Sequence, residues 1–494
     1  MNNNVINFIN FIRGCEPRRE MDLLQPVKDE MALAVKHGLP VTWLFQYDAL
    51  RKEEFVNFVK ENMPVTHECG MWLEIVQENV EKAGLPWRGR FPWDWHADCG
   101  FSIGYTQSER KLLADVMMKE FHRHFGHYPS SVGCWFVDAF MLTYLHETYG
   151  VSGACICRDQ TGNDGYTLWG GYWANGYYPT RKNIYMPASS PEQQLDVPVF
   201  RMLGSDPLEQ YDRCLLPGWD SVCTMEPFYP DFGGNPQWVD WFLKENFNSP
   251  NFAMSYIQIG QENSFGSPSI VPGLTMQCEK VAALRDAGKI TVETLGETAA
   301  RFRREHRSTP VSANITLQDM PGKNRQGIWY LSKFQRLNIV RQEDGSLELR
   351  DWHIFHEDLP ETHLEKVCTT CNCSYLTPPV VDSLNWAPTR FVLSGTPAGL
   401  TELRDAGNEV LTGSYGEVRF RCEPDGWEIS NISAISYRFP ENFSFTVDGN
   451  RLCCRFESAA YGVEVQTGSI EQDGKNIRFI PESGTLKFKV FTNR

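Results

Sequence analysis

In the run Tyr256-Ile-Gln-Ile-Gly-Gln-Glu262-Asn-Ser-Phe, an apolar, strand-like approach delivers a glutamate flanked by amides into a loop rich in glycine, serine and proline. Barrel enzymes present a catalytic acid in this way. The stretch Val132-Gly-Cys-Trp-Phe-Val-Asp138 has the same construction and runs directly into the helix-like segment Ala139 to Tyr149. Two carboxylates at the ends of two candidate strands point to glycosidic-bond chemistry, and the expectation is that Asp138 and Glu262 face each other across one pocket. An aspartate before a helical run is also a normal N-cap, whereas glutamate caps poorly.

Further polar residues lie in loop-like stretches where a substrate could be gripped. Glu16 and Arg18 follow the first strand candidate, where the glutamate either binds a substrate hydroxyl or is held in an ion pair. Thr66-His67-Glu68 and Trp95-His96-Ala-Asp98 offer His/acid couples for sugar hydroxyls or a metal. Asp159 and Asp164 frame the turn-forming Gln-Thr-Gly-Asn ahead of Trp169. Glu226, in Thr-Met-Glu-Pro, is an alternative second carboxylate, and Asn263 adjoins Glu262. Glu16, Arg18, Glu68, Trp95, His96, Asp98, Asp159, Asp164, Trp169, Glu226 and Asn263 therefore form the expected substrate-binding set.

The elements that would position these groups alternate through the first 300 or so residues, apolar runs with helical patterns, as in βα units around a parallel sheet. Strand candidates are Val5 to Ile12, Val41 to Phe45, Met71 to Ile75, Val132 to Val137, Ser152 to Ile156, Val197 to Leu203, Val222 to Met225, Phe252 to Ile259 and Ile290 to Thr294. Helical patterns fill Asp22 to His37, Arg51 to Glu61, Gln77 to Ala83 and Ser108 to Phe125. After about Thr309 short alternating segments with Asp-Gly and Gly-Asn turns take over, which predicts a β-sandwich. The expected architecture is α/β, a (β/α)7–8 barrel over residues 1–308 followed by a C-terminal β-sandwich domain over 309–494.

The 494 residues carry 47 basic and 62 acidic side chains, a net charge of −15, with no Lys/Arg-rich run. Nucleic acid and anionic membrane are poor partners for such a chain, and a neutral or cationic ligand fits better. Many of the 15 tryptophans fall in loop-like stretches, where flat faces suit sugar rings. The N-terminus reads as a first strand without a cationic leader, and no apolar stretch reaches membrane-spanning length. The cysteines, 15 in all and mostly inside apolar runs, suit a reducing compartment, so a soluble, cytoplasmic protein is expected. Cys368, Cys371 and Cys373 have soft-metal spacing but lack a completing partner. There is no Walker motif, G-x-S-x-G elbow or dinucleotide fingerprint, so no cofactor is expected.

The order of elements, with Glu16, Asp138 and Glu262 after an early, a middle and a late strand and a β-domain appended, resembles the glycoside hydrolase/deacetylase barrel superfamily. That group includes family 57 and 38 glycoside hydrolases and the polysaccharide deacetylases. Asn10-Phe-Ile-Arg-Gly-Cys-Glu16-Pro-Arg18, Arg158 to Trp169 and Gly260 to Phe265 look like an uncharacterised two-domain family of gut anaerobes. The resemblance implies a nucleophile at Asp138, an acid at Glu262 and a retaining course. Family 57 typically has glutamate as nucleophile and aspartate as acid, the reverse of this pair, and Arg13-Gly-Cys-Glu16 replaces its histidine-rich first-strand motif. The Asp-Asp pair and His-x3-His of the metal-dependent deacetylases are missing. The expected function is a glycoside hydrolase acting on an oligosaccharide or small glycoside, with a metal-dependent carbohydrate deacetylase or a non-catalytic carbohydrate-binding protein as alternatives. Sugar, linkage and oligomeric state are left open.

Overall fold

The structure, a computed structural model, describes residues 3–213, 223–247, 252–384, 390–395 and 398–493. Eight parallel strands form the first sheet: β1 (Asn4–Ile12), β2 (Thr42–Phe45), β3 (Glu68–Trp72), β4 (Ser131–Gly133), β5 (Gly153–Cys157), β6 (Val199–Met202), β7 (Ser255–Ile259) and β8 (Thr291–Glu293). Their order is β6-β5-β4-β3-β2-β1-β7, with β8 also pairing β1. β6 and β7 run alongside each other without a ladder, so the sheet curls into a nearly closed barrel.

Helices Leu24–His37, Gln107–Phe125, Ala139–Tyr149, Ser267–Asp286 and Leu295–Glu305 lie among the outer connections. The helix Gln107–Phe125 starts where a capping box forms between Thr106 and Glu109, and it stops at Gly126, whose φ of +77° suits glycine. β1 is buried along almost its whole length. Its Asn7 and Asn10 are tolerated there because they pin neighbours: Asn7 Nδ2 donates to Glu293 O at 2.8 Å, and Asn10 Oδ1 accepts from Gln261 N at 3.1 Å.

The parallel strands match the sequence expectation in order and in type, with three departures, of which the first is that the candidate Met71 to Ile75 lies three residues earlier, at Glu68–Trp72. Of the candidate Val222 to Met225, Val222 lies outside the described residues, and Thr224 makes only an isolated antiparallel bridge to Ser205. The candidate Val132 to Val137 ends early, because β4 stops at Gly133. A Cβ on Gly133 would sit 2.5 Å from Leu44 Cδ1, so the close packing of β4 requires glycine.

From Ser312 onward the strands pair antiparallel, apart from Cys373–Leu376. One sheet holds Ser312–Thr316, Gln326–Leu331, Gln335–Arg341, Ser346–Ile354, Pro379–Asp382 and Phe391–Gly395, and an eight-stranded sheet follows from Leu400–Asp405 to Thr485–Asn493. Together they make the C-terminal β-sandwich. It is tied to the barrel: Cys373–Leu376 adds in parallel to Tyr166–Trp169, a strand in the excursion that follows β5. Among the described residues no helix is long and apolar enough to cross a membrane.

Candidate active site

The C-terminal ends of the parallel strands surround a cavity of about 280 Å³. Six of the eight strands deliver a group one to three residues past their last strand position: Arg13 after β1, Glu74 after β3, Trp135 after β4, Arg158 after β5, Ser205 after β6 and Glu262 after β7. The C-terminal mouth is where a barrel can vary its loops without disturbing its core.

Glu262 reaches the cavity because Gly260 lets the backbone turn. Its φ is +115°, and a Cβ there would lie 2.0 Å from Ile9 O. The three polar residues that follow diverge. Gln261 Nε2 donates to Glu226 Oε1 at 3.0 Å. Asn263 clamps the exit of β1, accepting from Arg13 N and donating to Arg13 O, both at 2.9 Å. Glu262 Oε1 receives Arg13 Nη1 at 2.8 Å and the Ser264 hydroxyl, while its Oε2 is buried without a hydrogen-bond partner.

Arg13 also forks onto Glu74, Nη2 to Oε1 at 2.9 Å and Nε to Oε2 at 3.1 Å, and lies 3.9 Å from the Trp93 ring centroid. One guanidinium thus serves two carboxyl groups in a dry setting. Burial pushes both upward, Glu74 to about 7, against the opposing pull of Arg13; the charge of Glu262 also raises Glu74, and that of Asp164 raises Glu262. For Glu262 the direction is the same and burial is again the largest cause.

Glu226 lies across the gap between β6 and β7, its Oε2 accepting from Thr224 Oγ1 at 3.0 Å. Asp164, at a turn with φ of +49°, lines the rim of the cavity. Asp159 turns away from the opening into Arg201 at 2.9 Å and Arg336 at 2.5 Å. Burial opposes its charge, but the two guanidinium groups hold its carboxyl below the usual range. Arg336 comes from the β-sandwich, so that domain braces the barrel mouth. The walls are aromatic, with Trp93, Trp95, Phe101, Trp135, Phe228 and Tyr229 facing the space.

The expected Asp138–Glu262 pair is corrected. Asp138 is fully buried and does not line the cavity; it caps the helix Ala139–Tyr149 through Met141 N at 2.9 Å and pairs with Arg110 at 2.9 Å, with Ser102 also donating to it. The cause is the early end of β4. Trp135 takes the strand-end position, and Asp138 falls past the bend at the start of the outer helix.

Glu68 is corrected as well. It is the first residue of β3, at the opposite end of the barrel, where it collects Ser130, Ser131 and Gly296 N. His67 beside it accepts from Trp43 Nε1 at 3.1 Å, and burial lowers its pKa to about 4.

Arg18, Trp95, Asp159, Asp164, Glu226 and Glu262 line the cavity together. Glu16 holds Arg18, Nη2 to Oε2 at 2.6 Å, and itself lines an adjoining recess. Trp169 lines a smaller recess with Arg158 and Asp159. Neither His96 nor Asp98 lines the main cavity; His96 packs edge-on to Trp95, and Asp98 Oδ1 is buried without a partner. Asn263 shapes backbone and does not face the opening. Arg13, Glu74, Trp93, Trp135 and Arg158 were absent from the expected set. Glu74 carried a readable signal, since it stands behind the apolar Met71-Trp-Leu as Glu262 stands behind its own run.

A catalytic metal of the deacetylase kind does not fit these donors. The cavity lining contains no histidine, Arg13 stands between two of its carboxylates, and among the described residues no group of three or more His, Cys, Asp or Glu could hold an ion. Cys368 and Cys373 are buried and Cys371 exposed; the Cys368 thiol donates to Thr370 O at 3.3 Å.

No family model matches the chain, and no curated protein matches it. Among solved structures it is similar to a candidate glycoside hydrolase/deacetylase from Parabacteroides distasonis, with 16% identity over 78% of this chain and 93% of that one, at a TM-score of 0.61. A candidate polysaccharide deacetylase from Mycobacterium smegmatis matches at 11% identity, covering 62% and 92% of the two chains, with a TM-score of 0.37. A family 57 branching enzyme from Thermococcus kodakaraensis matches at 11%, covering 62% and 72%, with a TM-score of 0.31. At this identity the likeness to the Parabacteroides protein is one of fold.

Proposed function

We propose that this protein is a carbohydrate-active enzyme that hydrolyses a glycosidic bond, with Glu262 as proton donor. The observation that carries the reading is Glu262 itself: a strand-end carboxyl in an aromatic-walled cavity, with one oxygen fixed by Arg13 and Ser264 and the other buried and unpartnered. Burial favours its protonated form, so Oε2 can carry the proton that a leaving glycosidic oxygen needs. Glu226, across the same cavity, is the proposed second carboxylate, acting on a water or on the anomeric carbon. The tryptophan faces supply the sugar platform.

Membership of the family 57- and 38-like group, and of the gut-anaerobe family within it, belongs to the same proposal, as do the division near residue 308 and the retaining course. The described thiols are mostly buried, which suits a reducing compartment, and we place the reaction in the cytoplasm. The deacetylase alternative is less favoured because the cavity donors do not suit a metal.

A screen of chromogenic glycosides and oligosaccharides, with and without chelator, tests the reading. Chelator-resistant release of the chromophore is expected, and release only of acetate, lost on chelation, would replace it with the deacetylase. Proton NMR of the first-formed anomer reads the stereochemical course.

A further inference from the structure

The cavity holds three guanidinium groups that are not equivalent. Arg13 is matched by Glu74 and Glu262, and Arg18 by Glu16. Arg158 lines the same cavity at 9% exposure, yet among the described residues no carboxylate stands within ion-pair distance of it. Its Cζ lies 3.6 Å from the Trp173 ring centroid, and Nη1 donates to Ser205 O at 3.0 Å. Among the described residues its guanidinium makes no other hydrogen bond.

Two residues on, Gln160 also lines the cavity at 5% exposure. Its Oε1 accepts from the Cys157 thiol at 3.3 Å, and its buried Nε2 makes no hydrogen bond of ordinary length, although the Tyr166 hydroxyl is close enough to interact with it. Between these two donors Asp159 points the other way, into Arg201 and Arg336. The exit of β5 therefore turns toward the space one cation without an ion-pair partner and one amide, while the oxygens of the carboxylate between them are committed to Arg201, Arg336 and Gly170 N.

Buried charges are normally paired, and buried donors normally satisfied. A buried guanidinium without an ion-pair partner is best completed when a ligand supplies an anion. A guanidinium stacked on an indole keeps its edge free, and that edge matches a planar carboxylate with two parallel hydrogen bonds.

We propose that the substrate is an acidic sugar, a uronate-type ring whose carboxylate binds Arg158 and Gln160 while the glycosidic oxygen meets Glu262. This deepens the glycosidase reading and rests on it. It also runs against the acidic balance of the whole chain, which by itself favours neutral or cationic ligands: here a local unmatched guanidinium outweighs a net charge of −15 spread over the surface.

Isothermal titration of the full chain with D-glucuronate and D-galacturonate, against D-glucose and D-galactose, tests this, with glucose 6-sulfate and glucose 6-phosphate as further arms. The uronates should bind about tenfold or more tightly than their neutral counterparts, the scale of one charge-assisted fork. Arg158→Met should abolish that preference, and Arg158→Lys should retain part of it. Equal binding of acidic and neutral sugars, tighter binding of the sulfate or phosphate ester than of the uronates, or a full preference in folded Arg158→Met would overturn the proposal. Should Arg158→Met fail to fold by circular dichroism, Arg158→Lys and Gln160→Leu carry the test, and an undiminished preference in both overturns it. Free monosaccharides bind without being cleaved, so failure to hydrolyse any glycoside would sink the glycosidase reading and leave this test standing.

Discussion

The ends of β7 and β4 look alike in sequence and do opposite things in space. Both are apolar runs that finish near a carboxylate, and both carboxylates are buried beside an arginine. At β7 the acid comes three residues after the strand, beyond a glycine turn, and keeps one oxygen unpartnered in a cavity. At β4 the strand stops five residues before the acid, and Asp138 is taken up by Arg110, Ser102 and the first turn of a helix. A strand-end carboxylate is available for chemistry only when its own neighbours leave it unsatisfied; Asp138 has spent its acceptors on the scaffold.

Substitutions at the two ends should separate in kind. The largest effect is expected at β7: Glu262→Gln removes the transferable proton and should lower kcat by about 10²–10⁴-fold, the range of general acid catalysis, with the melting temperature little changed. If steady-state rates stay near the parental value, the acid lies elsewhere and Glu226 is next. At β4 the loss should be of stability. Asp138→Ala leaves Arg110 buried without its carboxylate and removes a helix cap, so denaturant unfolding should show a loss of about 3–5 kcal/mol. A folded Asp138→Ala of normal stability but no turnover would reverse the comparison.

Glu74 sharpens it through pH. Its folded pKa, about 7, is above its ordinary value of 4.5, so the stability it contributes is fully present below about pH 4.5 and lost as pH rises through about 7. Glu74→Gln should flatten that decline in urea titrations taken across this window. The same change leaves Arg13 wholly to Glu262, favours ionised Glu262, and should move the alkaline limb of kcat/KM to lower pH. An unmoved limb would mean that Glu262 does not set it. The smallest effect is expected at the far end of the barrel: Glu68→Gln trades charge-assisted for neutral hydrogen bonds, costing about 1 kcal/mol in thermal unfolding with kcat unchanged.

Much of the fold was readable because it rests on local patterns. The apolar runs Val5 to Ile12 and Ser152 to Ile156, alternating with the helical periods of Asp22 to His37 and Ser108 to Phe125, specify parallel strands and outer helices whatever lies around them. The short alternating segments after Thr309 specify antiparallel sheet in the same way. The site was only partly readable. Glu262, Glu226, Arg18 and Trp95 reach one cavity as the loop composition suggested, but Glu68 does not, because residues at the two ends of one short strand face opposite ends of the barrel.

The sequence by itself determined the element types, the barrel-then-sandwich order and the presence of an acid behind Tyr256 to Ile259, since each follows from side-chain period, turn chemistry and apolar content within a dozen residues. Only the tertiary structure decided which acids are free. Arg13 meets Glu74 and Glu262 across 61 and 249 residues of chain, Arg110 meets Asp138, and Arg336 of the sandwich reaches Asp159 of the barrel. Whether a buried carboxylate or guanidinium is matched depends on partners that the chain brings together only on folding, and in a medium that screens charge poorly those partners decide which groups serve the scaffold and which face a substrate.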